Sequence, residues 1–352
     1  MILTEAGVVN YLLYRGLISA EIAISNQLEI RQMFSRNRNF LISVNEKRRY
    51  FLKQISTVTN EKIQTLKKEA NFYWMVKNNA LFQPLQPYVC ELIDYNSQIN
   101  ALIVEAISEG QDLFQYLQKN RNLEKEVAES LATALAAFHK IAMNSIVAAK
   151  AQQIFPKVIP WIFRIDDDNR MNLHITTPAS KQVVEIVNAH ANYIELIRAN
   201  RDQWETKSLV HGDIKFPNLF IDRSTGAMSI KLIDMEISDI GDPCWDVAGV
   251  FQAFLTWWVD FANSDNEQLI KLQPSINQFW KKYIESLEVT GTNEKIYLIK
   301  SMQYAAIRMI QTCYEMAGVQ QTLQPNQVKT LQMSLNILLN PENGCKDLLG
   351  IN

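Results

Sequence analysis

Glycine is missing from a long stretch of this 352-residue chain: none falls between Gly16 and Gly110. A glycine-rich loop is therefore excluded there, and any tight turn must use residues such as asparagine, which tolerate left-handed geometry better than most. Cysteine is also sparse. The four, Cys90, Cys244, Cys313 and Cys345, include no CxxC pair. A zinc site or a disulfide framework is not expected, and buried reduced thiols are the simpler reading. The net charge is only -2, and there is no basic stripe, so nothing points to nucleic acid. No apolar run is long enough to span a bilayer. The first 24 residues are interrupted by Glu5, Arg15 and Glu21, which argues for an amphipathic helix after Thr4 rather than a signal peptide. The expectation is a cytoplasmic protein with no membrane contact. Neither repeats nor low-complexity segments occur.

What is present is a globular composition, 47% apolar and 20% charged, in a chain larger than one typical core. The pattern divides it into a strand-rich front, 1–107, and a helix-rich back, 108–352. Leu28 to Phe34 reads as a strand. Phe40 to Val44 and Tyr50 to Leu52 read as a hairpin, with further strands at Tyr88 to Tyr95 and Ala101 to Ala106. Glu61 to Lys77 reads as a helix with Ile63, Leu66, Ala70 and Trp74 on one face. Glu124 to Ala142 and Gln182 to Trp204 read as long helices. A strand-rich island follows at Leu209 to Ile233, then helices from Val247. The fold class is α+β, with two lobes and an expected cleft between them.

The segment Leu209 to Asp222, LVHGDIKFPNLFID, holds the chemistry. Apolar flanks bracket His211, Gly212, Asp213 and Asn218. A loop held between two short strands can aim an acid and an amide five positions apart into one pocket, so that one takes a proton while the other holds a metal. The alternative is an Asx-turn cap. The next stretch, KLIDMEISDIGDPCWDVAGV, favours chemistry. Asp234 ends an apolar strand, and a second acid beside the first loop suits magnesium, which takes oxygen ligands. Glu236 is a possible further ligand. Asp246 reads as the cap of a helix starting near Val247.

HGDIKFPN, IDME and GDPCWDVA together resemble the aminoglycoside phosphotransferase and choline kinase family, a branch of the protein-kinase-like fold. Met235 stands where that family usually has tryptophan, and Val247 where it has leucine. The resemblance implies an antiparallel-sheet N-lobe, a mainly helical C-lobe, and transfer of the ATP γ-phosphoryl group to a hydroxyl. Asp213 would be the base, Asn218 and Asp234 would hold magnesium, and His211 would brace the loop. Lys53, on the strand YFLKQI, would meet the phosphates, with Glu69 as its ion-pair partner. A solvated edge lysine and a surface helix acid are the alternatives. In place of the glycine-rich loop stands FSRNRNFLI, where Ser35, Arg36 and Arg38 are candidate phosphate contacts. Backbone groups of Glu105 to Ile107 would meet the adenine.

The short distance from Asp234 to Gly241 leaves no room for a long activation segment, which favours a small acceptor over a regulated protein-kinase role. Asp239, Asp260, Glu285 and Glu315 are substrate-contact candidates. From Glu236 onward there are 13 acids against 8 bases, which suits an amine-bearing substrate or simply an acidic surface. VVNYLLYRGLI, SRNRNF and FPKVIPWIF are also similar to the stand-alone kinases of class V lanthipeptide and thioamitide pathways. That resemblance implies a serine or threonine of a precursor peptide as acceptor and a separate lyase as partner. A non-catalytic nucleotide-binding scaffold is the contrasting class. Retention of Asp213, Asn218 and Asp234 argues against it.

Overall fold

The structure is a computed structural model. It describes the chain except residues 1, 34–36, 46–47, 108–109, 144–153, 168–174, 224–225 and 352. The chain separates into two compact units. The first comprises Met1–Gln111 and Leu219–Ile237, the second Asp112–Asn218 and Ser238–Asn352. The first unit thus runs to Gln111, and the strand pair leading to Asp234 groups with it.

The first unit is built on a five-stranded antiparallel sheet. In order across it run Glu29–Met33, Arg38–Ser43, Arg49–Gln54, Ala101–Glu105 and Leu92–Asn96. Alternation assigns the faces. Phe40, Ile42, Tyr50, Leu52 and Ile103 form one apolar layer, covered by Leu3, Val8, Tyr11, Leu12 and Ile18. Most of that cover comes from the Glu5–Tyr14 helix, whose first turn Thr4 caps by accepting the Gly7 N–H at 3.2 Å. Lys53, one position after Leu52, points to the opposite face. The expected strand from Tyr88 is shorter. Gln83–Tyr88 forms a 3₁₀ turn in which Pro84 and Pro87 remove backbone donors.

The Asn60–Asn78 helix buries Leu66, Glu69, Ala70 and Tyr73, spaced i, i+3, i+4 and i+7. Trp74, expected on the inner face, is 56% exposed. It lies one position past that stripe, about 100° further round the helix. The hairpin Leu219–Asp222 and Ser229–Leu232 pairs Leu219 with Leu232. A parallel bridge from Val89 to Leu232, and Lys231 Nζ donating to the Val89 carbonyl at 3.1 Å, attach it to this unit.

The second unit is mainly helical. Lys125–Met143 packs on Asn266–Leu287, and Pro243–Phe261 on Thr292–Ala317. Val127, Leu131, Leu135 and Phe138 are fully buried, as their spacing predicts. The long helix expected over Gln182 to Trp204 is two, Pro178–Ala189 and Ala191–Asp202, broken where His190 turns extended at φ -107° and ψ 98°. The first piece packs on Thr292–Ala317. The second also meets Pro325–Leu339. Beneath the short pair Ser208–Val210 and Asp239–Gly241, the rings of Phe163, Trp204, Trp245 and Tyr304 pack with centroids 5.5 to 6.0 Å apart. Phe155, Ile162 and Phe163 of FPKVIPWIF are core residues. No described helix is long and apolar enough to cross a membrane.

Candidate active site

Each of the two units holds a polar cluster of its own. In the first, Lys53 Nζ lies 2.9 Å from Glu69 Oε2, 2.7 Å from Asp234 Oδ1 and 2.8 Å from Glu236 Oε2. The solvated-edge alternative for Lys53 and the surface alternative for Glu69 are both excluded, since they are 7% and 3% exposed. Carboxylate oxygens of Glu69, Asp234 and Glu236 all lie within 4.8 Å of one another. One ammonium among three carboxylates leaves an excess of negative charge. Burial disfavours the charge on Lys53, but Glu69, Asp234 and Glu236 outweigh it and hold the ammonium protonated. Burial pushes the Glu69 carboxyl up, to about 7, against the pull of Lys53. Asp234 adopts a left-handed backbone, φ 65°, which costs a non-glycine residue about 1 kcal/mol or more. An all-oxygen donor set with surplus negative charge fits magnesium.

The second cluster is the loop His211 to Asn218. Gly212 supplies the left-handed turn, φ 83°. Asn218 Nδ2 donates to the Asp213 carbonyl at 2.9 Å and to its Oδ2 at 3.1 Å. Lys215 Nζ reaches the same Oδ2 at 2.6 Å. The Asp213 N–H donates to His211 Nδ1 at 3.3 Å, so the buried imidazole braces the loop from within. Behind the loop the Pro243–Phe261 helix comes so close that a Cβ on Gly249 would sit 2.6 Å from the Ile214 carbonyl oxygen.

Asp246 corrects the sequence reading. It does not cap the helix. Asp242 does, accepting the Cys244 N–H at 3.0 Å, with Pro243 in the first turn. Asp246 lies inside the helix, fully buried, and its carboxylate accepts the backbone N–H groups of His211 at 2.6 Å and Gly212 at 2.9 Å. His139 Nε2 completes the set at 3.2 Å, and His139 Nδ1 meets the Tyr283 hydroxyl at 2.7 Å. Burial alone would raise the Asp246 carboxyl. Hydrogen bonds and charge from His139 and His211 outweigh it and hold it below the usual aspartate value. Such a group contributes stability that is present above its unfolded-state pKa and lost as pH falls through the folded-state value. Asp246→Asn should therefore destabilise the protein by on the order of 3 kcal/mol at neutral pH. Denaturant melts should show the gap to wild type closing in acid.

Several contributors were not singled out from sequence. Arg308, 6% exposed, donates to the Gly212 carbonyl at 3.3 Å and the Ile214 carbonyl at 2.8 Å, with its guanidinium 4.8 Å from the Trp245 ring centre. An arginine in the apolar run YAAIRMI was the available signal. Lys300, at 2.6 Å from Asp242 and 3.2 Å from Glu205, fixes the start of the Pro243 helix. His139 carried no signal beyond its place on an apolar stripe.

Other candidates are dispersed. Ser35 and Arg36 lie outside the described residues. Arg38 Nε donates to the Leu3 carbonyl at 3.1 Å, tying down the N-terminal segment. The Glu105 N–H donates to the Glu91 carbonyl at 2.8 Å, and its side chain is exposed; Ile107, beyond the strand, is half-buried. Asp239, Asp260, Glu285 and Glu315 stand on four different elements. Glu285 pairs with Lys282 at 3.0 Å, and burial raises the half-buried Asp260 carboxyl. Glu315 accepts from Gln311 at 2.8 Å, and Arg308 feels its charge together with those of Asp213 and Asp246.

Residues 34–271 match the model of the phosphotransferase enzyme family. That is more than half of the chain, and the chain belongs to this family. Solved structures share its architecture. A choline kinase from Cryptosporidium parvum aligns at 15% identity and TM-score 0.62, over 97% of this chain and 96% of its own. A Plasmodium vivax ethanolamine kinase aligns at 14% and 0.61, over 93% and 86%. The GDP complex of wild-type aminoglycoside 2'-phosphotransferase-IIIa aligns at 11% and 0.57, over 95% and 99%. At these identities the likeness establishes the fold. No curated protein matches in sequence. The fold is α+β and protein-kinase-like, with an antiparallel-sheet N-lobe and a mainly helical C-lobe, and the family is one of phosphotransferase enzymes.

Proposed function

We propose that the enzyme transfers the γ-phosphoryl group of ATP to a hydroxyl, with Asp213 as general base. The observation that carries this is the Asp213 carboxylate held by Asn218 at 3.1 Å and Lys215 at 2.6 Å. A carboxylate fixed in this way is oriented to receive a proton. As the acceptor oxygen bonds to the γ-phosphorus, its proton passes to Asp213 and the bond to the ADP oxygen breaks. Lys53, fixed by Glu69, is the phosphate-facing cation. Asn218 and Asp234 would hold magnesium, with Glu236 as a further oxygen donor. Magnesium, when bound, neutralises charge on the phosphates. Four buried free thiols agree with a reducing cytoplasmic setting.

The acceptor we propose is a serine or threonine of a ribosomally made precursor peptide, whose phosphate a separate lyase would then eliminate. Support comes from VVNYLLYRGLI and FPKVIPWIF, although the latter's apolar residues serve the core. A small alcohol, amino sugar or amino alcohol is the second reading, in keeping with the 13 acids against 8 bases from Glu236 onward. Incubation with ATP, magnesium and each acceptor class, read by ADP release and mass spectrometry, separates them. The peptide reading expects a phosphate-sized gain on serine or threonine, with short serine analogues poor. Gain on a free amino sugar or amino alcohol alone would return the enzyme to the small-molecule class.

A further inference from the structure

Arg308, on the Thr292–Ala317 helix, is 6% exposed, yet no acid pairs with it among the described residues. Asp213 pairs with Lys215 instead, and Asp246 with His139. Burying a cation without a counter-ion is unfavourable, and an apolar side chain of similar volume often serves packing as well. What Arg308 meets is carbonyl oxygen. Its Nη1 donates to Gly212 at 3.3 Å and its Nη2 to Ile214 at 2.8 Å, the residues immediately before and after Asp213. Trp245, whose ring centre lies 4.8 Å from the guanidinium carbon, donates its Nε1–H to the same Gly212 carbonyl at 3.0 Å. The Asp213 carbonyl between them is held by Asn218 at 2.9 Å. Ile214 is fully buried, with Gly249 packed against its carbonyl, so solvent does not stand in for the arginine there.

We propose that Arg308 is a positioning residue whose fork straddles Asp213 and fixes the direction in which its carboxylate projects. This rests on the reading of Asp213 as the base. Asp246 already holds the loop by the N–H groups of His211 and Gly212, and Arg308 holds it by the carbonyls. A planar guanidinium can reach two carbonyls at once, which the point charge of a lysine does not do. A base displaced from its reacting geometry by even about 1 Å loses rate steeply.

Arg308→Lys keeps the charge and loses the fork. The readout is ADP release by the full chain from saturating ATP and magnesium, with ethanolamine and water as probe acceptors, the faster of the two being carried through every variant. Arg308→Lys should lower turnover about tenfold, the loss expected when a charged hydrogen bond goes. Calorimetric affinity for a non-hydrolysable ATP analogue should stay at the wild-type value. If Arg308 acts through Asp213, Asp213→Asn combined with Arg308→Lys should be no slower than Asp213→Asn alone. A purely structural arginine would instead slow the double variant by a further factor. Asp213→Asn at the wild-type rate means that the base reading fails. Asp213→Asn slow and Arg308→Lys at the wild-type rate, or a double variant slowed additively, means that the base reading stands and the Arg308 proposal falls. Should Arg308→Lys not fold, nitrogen NMR of the Arg308 guanidinium in the wild-type protein decides. Separate signals for its Nη atoms support the held fork, and a single averaged signal overturns it.

Discussion

Asp213→Asn is expected to leave nucleotide binding intact and to lower phosphoryl transfer by about 10²–10⁴-fold. The substitution is close to isosteric, but an amide cannot take up the acceptor's proton. Little else should change. The Asp213 carboxylate is 29% exposed and its partner Lys215 is 49% exposed, and an ion pair in that setting contributes at most about 1 kcal/mol. The Asn218 bond to the Asp213 carbonyl at 2.9 Å survives, so the loop keeps its shape. Single-turnover kinetics with a known acceptor would test the rate, and calorimetry the affinity. Transfer at the wild-type rate would remove Asp213 from the role of base. Loss of nucleotide binding would make it structural.

Some of this was readable in the sequence because chemistry fixes residue type and spacing together. Asp213 and Asn218 are five apart in a loop between strands, and the structure joins them. The Lys53–Glu69 pair follows from the family resemblance rather than from pattern, and the structure places the two 2.9 Å apart. Elements with strong periodicity, such as the helix carrying Val127 to Phe138, were equally plain. Other features were not legible, for identifiable reasons. The run GDPCWD offers two acids one turn apart, and Pro243 at the first helical position was the sign that Asp242, not Asp246, is the cap. The apolar stripe Val183, Val187, Ile194 and Ile197 runs on through His190, so periodicity alone conceals the break there. Asp246 and Arg308 brace the His211–Asn218 loop across 35 and 94 residues of chain. Local patterning carries no information about such partners. The cluster around Lys53 gains Glu236 for the same reason, a partner 183 residues away.

Lys53→Met should have the other large effect, on both rate and stability. Methionine fills much of the same space without the charge. Loss of one preorganised electrostatic group of this kind lowers transfer by about 10²–10³-fold. The stability effect comes from what remains. Glu69 is 3% exposed and keeps Asp234 and Glu236 as neighbours. Its carboxyl is already pushed to about 7 with Lys53 present, and removing the cation moves it higher. The sign follows from proton binding. With a folded-state pKa above the ordinary value of 4.5, the folded state holds its proton where the unfolded state has released it. Stability then falls as pH rises between those two values, by about 1.4 kcal/mol per unit for a single group. Lys53→Met should therefore go on losing stability above pH about 7, where the Glu69 contribution in wild type levels off. Thermal melts across that window, without added metal, check it. A variant with the wild-type pH slope would show that Lys53 does not offset the buried charge of Glu69, and a variant with the wild-type rate would take Lys53 out of the phosphate site.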